Sequence, residues 1–245
     1  MNYVTKAIAV LRRDGLLGLL KKGVPFVYNR HIAPIMPRTN AVYNGVDVEA
    51  ARYFDSILPW RDKNKPRYES GLVSGLEDYV ETGDSIVIVG GGWGVTAVKA
   101  AQQAGSSGKV TVYEGSSKEI DHVKNTVEKN GVSERVKIIH SIVGPMVSLR
   151  GEAGEATHIP PDELPECNVL ELDCEGSEIE ILESITIRPR VILVESHGLN
   201  DAPSSEVEEL LNELSYSVKS KKVADEGQEE FCVNNDIYSL VAVRQ

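Results

Sequence analysis

Residues 85–94 read Ser-Ile-Val-Ile-Val-Gly-Gly-Gly-Trp-Gly, and twenty positions after the last of these glycines Glu114 closes a second short apolar run. A run of this length, rich in Ile and Val, is a buried strand, and Gly90, Gly92 and Gly94 then form a turn where backbone can approach a ligand closely. A helix is expected from about Val95. A carboxylate ending the next strand can accept both hydroxyls of a ribose, so the pair of features points to a nucleotide. The dinucleotide fingerprint G-x-G-x-x-G would place its third glycine at position 95, which is Val95. The pattern present is G-x-G-x-G. A third segment, Asn-Val-Leu-Glu-Leu-Asp-Cys-Glu-Gly-Ser-Glu from residue 168, ends another apolar run in two titratable carboxylates, Asp173 and Glu175. His197 follows a fourth run and adds a group whose reference pKa is near neutral.

G-x-G-x-G is the form seen in class I S-adenosylmethionine methyltransferases, and the third segment resembles the FkbM family among them. That family's signature is approximately K-I-D-V-E-G-A-E, and Asp173, Glu175, Gly176 and Glu178 fall on its D, E, G and E. Its F-E-P at the second strand is similar to Tyr113-Glu114-Gly115, and its V-L-x-E-x-H to Ile192 through His197. The resemblance runs from about Tyr68 to the C-terminus. Two positions depart from the pattern: Ile88 stands where many of these enzymes carry an acid, and Glu171 where the signature opens with lysine.

The resemblance implies an α/β, Rossmann-like fold with a mostly parallel sheet and an antiparallel C-terminal strand. It also implies S-adenosylmethionine as cofactor and a carbohydrate or lipid-linked glycan as methyl acceptor, through a sugar hydroxyl or a uronic acid carboxylate. Gly90, Gly92 and Gly94 would line the aminoacyl tail, Glu114 the ribose and Ser141 the adenine region, with Glu69 closing over the tail or simply solvated. A hydroxyl acceptor benefits from a base, and Asp173 or Glu175 could take its proton. Both also suit the start of a helix, where carboxylates bind free N–H groups. His197 is a second base candidate or a structural histidine. Asp173, Glu175 and Glu195 offer oxygen ligands to a divalent ion, which the sequence does not establish. Two competing classes stay open: a non-catalytic S-adenosylmethionine binder, with Ile88 and Glu171 as signs of decay, and an NAD-dependent oxidoreductase, against which Val95 and an expected terminal hairpin count.

The elements that must hold these groups follow from periodicity. A helix over Gly71–Val80 precedes strands near 85–89, 109–113, 136–141, 168–173 and 190–195, with helical patterns between them. Alternation of this kind implies a parallel sheet, and 215–221 and 237–243 read as a final strand pair. The connection 151–165, with His158 and two prolines, is either a lid or a long loop.

The chain divides on paper into a basic helical extension, 1–65, and a nucleotide domain, 66–245. Residues 1–40 carry seven cationic side chains against Asp14 alone, +6, so the other 205 residues carry −17 of the −11 total. Val4, Ile8 and Leu11 share one helical face, and after a break at Asp14-Gly15 the run Leu16–Leu20 resumes until Gly23 and Pro25 are expected to stop it. Such a basic amphipathic hairpin either touches an anionic membrane surface or lipid-linked substrate, or docks on the protein core or a second subunit. Val46–Leu58 is read as a helix, with Val48, Ala51, Tyr53 and Phe54 as its apolar positions, and 60–67 as a linker.

The acidic balance disfavours binding to nucleic-acid backbones, which needs clustered Lys and Arg. Cys167, Cys174 and Cys232 form no disulfide or zinc spacing, which fits reduced thiols in a cytoplasmic protein, peripheral to the membrane in the first reading above.

Overall fold

The computed structural model describes residues 3–149 and 151–245, without the side chains of Tyr3, Val4, Lys6 and Ala7, so the expectation for Val4 lies outside the described residues. The chain forms two compact units, residues 1–40 with 50–64, and residues 41–49 with 65–245.

The larger unit is built on an eight-stranded sheet. Its strands are β3 (Ser85–Val89), β4 (Lys109–Glu114), β5 (Val136–Val143), β6 (Thr157–Ile159), β7 (Val169–Leu172), β8 (Val191–Glu195), β9 (Tyr216–Val223) and β10 (Tyr238–Arg244). They lie in the order β6-β5-β4-β3-β7-β8-β10-β9, parallel from β6 through β8, with β10 antiparallel to both β8 and β9. The chain order reverses between β3 and β7, and an open α/β sheet binds ligands beyond the carboxyl ends of its strands at that point. Both faces are covered, so the central strands are largely apolar rather than alternating. One core face joins Val87, Leu170, Leu172, Ile192 and Val194 to Ile181 and Leu182 of α5 (Glu178–Ser184) and to Val207 and Leu211 of α6 (Ser204–Glu213), all buried. The opposite face takes α2 (Ser70–Tyr79) and α3 (Val95–Ala104), through buried Leu72, Leu76, Val95 and Val98. Gly75 permits the close packing of α2, because a Cβ there would stand 2.5 Å from a Leu193 methyl.

The segment 151–165, expected as a lid or loop, instead contributes β6 to the sheet edge, where Ser141–Val143 pairs with Thr157–Ile159. Val46–Arg52 is strand β2 rather than helix and pairs with β1 (Arg38–Tyr43). The reason is the dipeptide between them: Asn44 and Gly45 have φ 47° and 80°, the two positive values of a tight hairpin turn, which the Asn-Gly pair favours. Val46 and Val48 are buried with Asp47 exposed between them, the strand alternation.

In the smaller unit, α1 spans Tyr3–Val27 with the expected break at Gly15, whose φ 69° and ψ −174° are not helical. The second half runs through Gly23 and Pro25, which were expected to end it. Proline's fixed φ is helical, and Pro25 stands two residues from the helix end, so its lost N–H bond and the crowding of the carbonyl four residues earlier fall in the last turns. Tyr28 is buried and meets Trp60 edge to face, with ring centroids 6.4 Å apart.

Candidate active site

The glycine turn and the β7 end are locked together. Asp173 N donates to Val89 O at 2.9 Å, and a Cβ on Gly90, at φ 98°, would lie 1.8 Å from the Asp173 carbonyl oxygen. Gly90 is thus required by the approach of two strands as well as by its turn. Gly92, also at positive φ, has nothing nearer to its missing Cβ than Glu69 Oε1 at 3.8 Å, and it lines a cleft. Gly94 caps α3 at φ 78° and lies outside the cleft lining.

Glu114, buried at the end of β4, accepts from Gly91 N at 2.7 Å and Gly92 N at 3.1 Å through one oxygen, and from Ser116 N at 2.7 Å through the other. These bonds hold the carboxylate over the turn at the mouth of the same cleft. Ser141 also lines it, with its hydroxyl donating to Thr157 O at 2.9 Å. Glu69 precedes α2 in the left-handed conformation, φ 48°, and stands at the cleft's rim. Of the expected cofactor residues, the structure therefore brings together Glu69, Gly90, Gly92, Glu114 and Ser141, along with Glu119 and Tyr113, which the sequence reading did not single out.

Asp173 and Glu175 line this cleft and also a second cavity beside it, which holds Glu195, His197, Asn200 and Phe231. Their turn is unusual in conformation: Glu175 has φ 56° and Gly176 φ 111°, and Asn200 Nδ2 donates to Glu175 O at 3.1 Å. The turn is closed by Glu178, the first residue of α5, which accepts from Cys174 N and Gly176 N at 2.8 Å each. Glu178 is fully buried and its Oε1 also meets His197 Nδ1 at 3.0 Å. The other nitrogen, Nε2, faces Asp173 Oδ1 at 3.5 Å, Glu195 Oε1 at 3.7 Å and Glu175 Oε2 at 3.8 Å.

One imidazole thus sits among four carboxylates. Burial works against its charge, but the Glu178 hydrogen bond and the charges of Asp173, Glu178 and Glu175 outweigh burial and raise its pKa to about 9. Burial likewise opposes the Glu178 anion, and the bond and charge of His197 together with the turn amides hold its pKa below the usual value. The raised pKa favours the charged imidazolium, the form that donates a proton rather than accepting one. Asp173, Glu175 and His197 each place one ligand atom within 4.8 Å of the others. Together they would offer two carboxylate oxygens and an imidazole nitrogen to a divalent ion, and Glu195, the third carboxylate expected of such a site, stands 3.7 Å from the same nitrogen.

Glu171, where the FkbM signature has lysine, is fully buried in β7. Burial, reinforced by the Asp173 charge, pushes its pKa up to about 8, and the Thr96 hydroxyl lowers it somewhat without reaching hydrogen-bond geometry. It is a neutral acid inside the sheet. Cys174 is a neutral thiol, raised well above its usual pKa by burial and by the charges of Glu178 and Asp173.

No family model and no curated protein matches the chain. Solved structures do. The ribosomal protein L11 methylase of Lactobacillus delbrueckii subsp. bulgaricus is similar over 84% of this chain and 93% of its own, with a TM-score of 0.50 and 12% identity. An S-adenosylmethionine-dependent O-methyltransferase of Thermotoga maritima is 21% identical over 72% of this chain and 64% of its own, with a TM-score of 0.48. Fibrillarin of Aeropyrum pernix, in complex with natively bound S-adenosyl-L-methionine, is 14% identical over 84% of this chain and 82% of its own, with a TM-score of 0.47. At these identities the likeness is one of fold: a Rossmann-like methyltransferase fold with an antiparallel strand in its sheet.

Proposed function

We propose that the protein is an S-adenosylmethionine-dependent O-methyltransferase of the FkbM type, acting on a hydroxyl of a carbohydrate or lipid-linked glycan. The observation that carries the reading is the placement of Glu114 over the glycine turn, at the carboxyl end of β4 beside the point where strand order reverses. Glu114 would take the ribose hydroxyls, Gly92 and Glu69 would flank the aminoacyl tail, and Ser141 would border the base. S-adenosylmethionine would supply a methyl on a sulfonium, a good leaving group, so the protein's task is to hold the acceptor oxygen in line.

Asp173 and Glu175 line both cavities and therefore lie where cofactor and acceptor would meet. One of them takes the proton of the acceptor hydroxyl. The imidazolium of His197 is a positioning group, holding the carboxylates of Asp173, Glu175 and Glu195 within 4 Å of Nε2. The second cavity offers carboxylates that accept from sugar hydroxyls and the exposed ring of Phe231, both features that suit a polyhydroxyl ligand. Transfer of a labelled methyl group from S-adenosylmethionine to a panel of glycans tests the reading. Labelled product supports it; cofactor binding with no transfer to any acceptor favours a non-catalytic binder instead.

A further inference from the structure

We propose that the smaller unit is a docking surface for an anionic lipid bilayer. Twenty large apolar side chains are exposed among the described residues, and fourteen belong to this unit. Exposed apolar residues scattered singly are ordinary, whereas a contiguous set marks an interaction surface. In the second half of α1, Leu16, Leu20, Val24 and Val27 recur at i, i+4, i+8 and i+11, one stripe along the helix, and Leu17 flanks it. Leu16 and Leu17 are each 66% exposed, Ile57 72% and Ile35 75%.

Charge decides the occupant. Residues 1–40 and 50–64 carry ten cationic side chains and three anionic ones. Two of the three anions are paired within the unit, Asp14 with Arg13 and Lys22 at 2.9 and 2.7 Å, and Asp55 with Arg61 at 2.8 Å. Lys21 is exposed on the same half of α1 as the apolar stripe, and Arg12 and Arg30 are exposed on the segments before and after it. The partner must therefore be apolar and anionic at once. The boundary between acyl chains and acidic headgroups has both properties. A second copy of this chain supplies the negative charge, but only six exposed large apolar side chains remain in its larger unit. No helix among the described residues is long and apolar enough to cross a membrane, so the contact is peripheral.

The test is sedimentation of the full chain with phosphatidylcholine vesicles, with and without phosphatidylserine, at low and high salt. We expect binding that needs phosphatidylserine and weakens with salt, because exposed charges are screened. The double variants Leu16→Asp/Leu20→Asp and Lys21→Glu/Lys22→Glu, checked for folding by circular dichroism, should each lower partitioning about tenfold or more. No sedimentation, equal sedimentation with both lipids, or binding untouched by either folded variant would overturn the proposal. So would a dimer in analytical ultracentrifugation that Leu16→Asp/Leu20→Asp disperses.

Discussion

Glu178 and His197 lie nineteen residues apart in sequence and 3.0 Å apart in the structure, and their bond fixes which end of the imidazole faces the other three carboxylates. With Nδ1 committed to Glu178, Nε2 points at Asp173, Glu175 and Glu195. The charge of His197 therefore depends on a side chain that lines neither cavity.

Glu178→Gln should bring the His197 pKa down from about 9 toward its ordinary value, read as a shifted imidazole titration by NMR. A histidine whose folded pKa is raised contributes stability that is fully present below its unfolded pKa, about 6.5, and is lost as pH rises through about 9. That contribution is on the order of 3 kcal/mol, and breaking a buried pair costs a similar amount. Denaturant unfolding should accordingly show the variant about 3 kcal/mol weaker at pH 6 and little different at pH 10.

Gly90→Ala and Gly92→Ala should separate folding from binding. The first puts a Cβ 1.8 Å from the Asp173 carbonyl oxygen at φ 98°, so thermal melting should show it severely destabilised or unfolded. The second meets nothing within 3.8 Å and suffers only its left-handed φ of 48°, a cost of about 1–2 kcal/mol. It should stay folded and lose nucleotide affinity, measured by calorimetry.

Glu171→Gln should stabilise the protein at alkaline pH. An acid whose folded pKa is raised to about 8 favours folding less and less as pH climbs from 4.5 to 8, because burial then holds an uncompensated anion. The amide removes that cost: unfolding curves should show a gain of about 2–4 kcal/mol at pH 9 and almost none at pH 4.5.

Asp173→Asn should discriminate acceptor chemistries. A hydroxyl must lose a proton and a uronic acid carboxylate has none to lose, so the variant should slow transfer to a hydroxyl by about 10²–10⁴-fold and to a carboxylate only slightly. Equal, severe loss with both acceptors would remove Asp173 from the proton's path.

What could be read from the chain was what is local. The strand before Gly90, the helix after Gly94 and the carboxylate ending β4 are carried by contiguous residues, and they appear where expected. The β1–β2 hairpin was misread because Val48, Ala51, Tyr53 and Phe54 mimic a helical face, while the Asn44-Gly45 turn that overrides them is only two residues long. Strand β6 has three residues and acquires its conformation from β5, so periodicity carried no trace of it. Glu178 was visible as a letter of the D-C-E-G-S-E motif, but its role arises from sheet order, which sets β7 beside β8 and brings His197 to it. The packing duty of Gly90 against Asp173 is hidden for the same reason.

The central claim is that the glycine turn and Glu114 form an S-adenosylmethionine site, and calorimetric titration with S-adenosylhomocysteine tests it most directly, with NAD as a parallel control. The account predicts selective binding of the sulfur nucleotide by the intact chain, weakened about tenfold or more in Glu114→Gln through the lost ribose contact. Binding of NAD in its place, or S-adenosylhomocysteine affinity unchanged by the substitution, would contradict it.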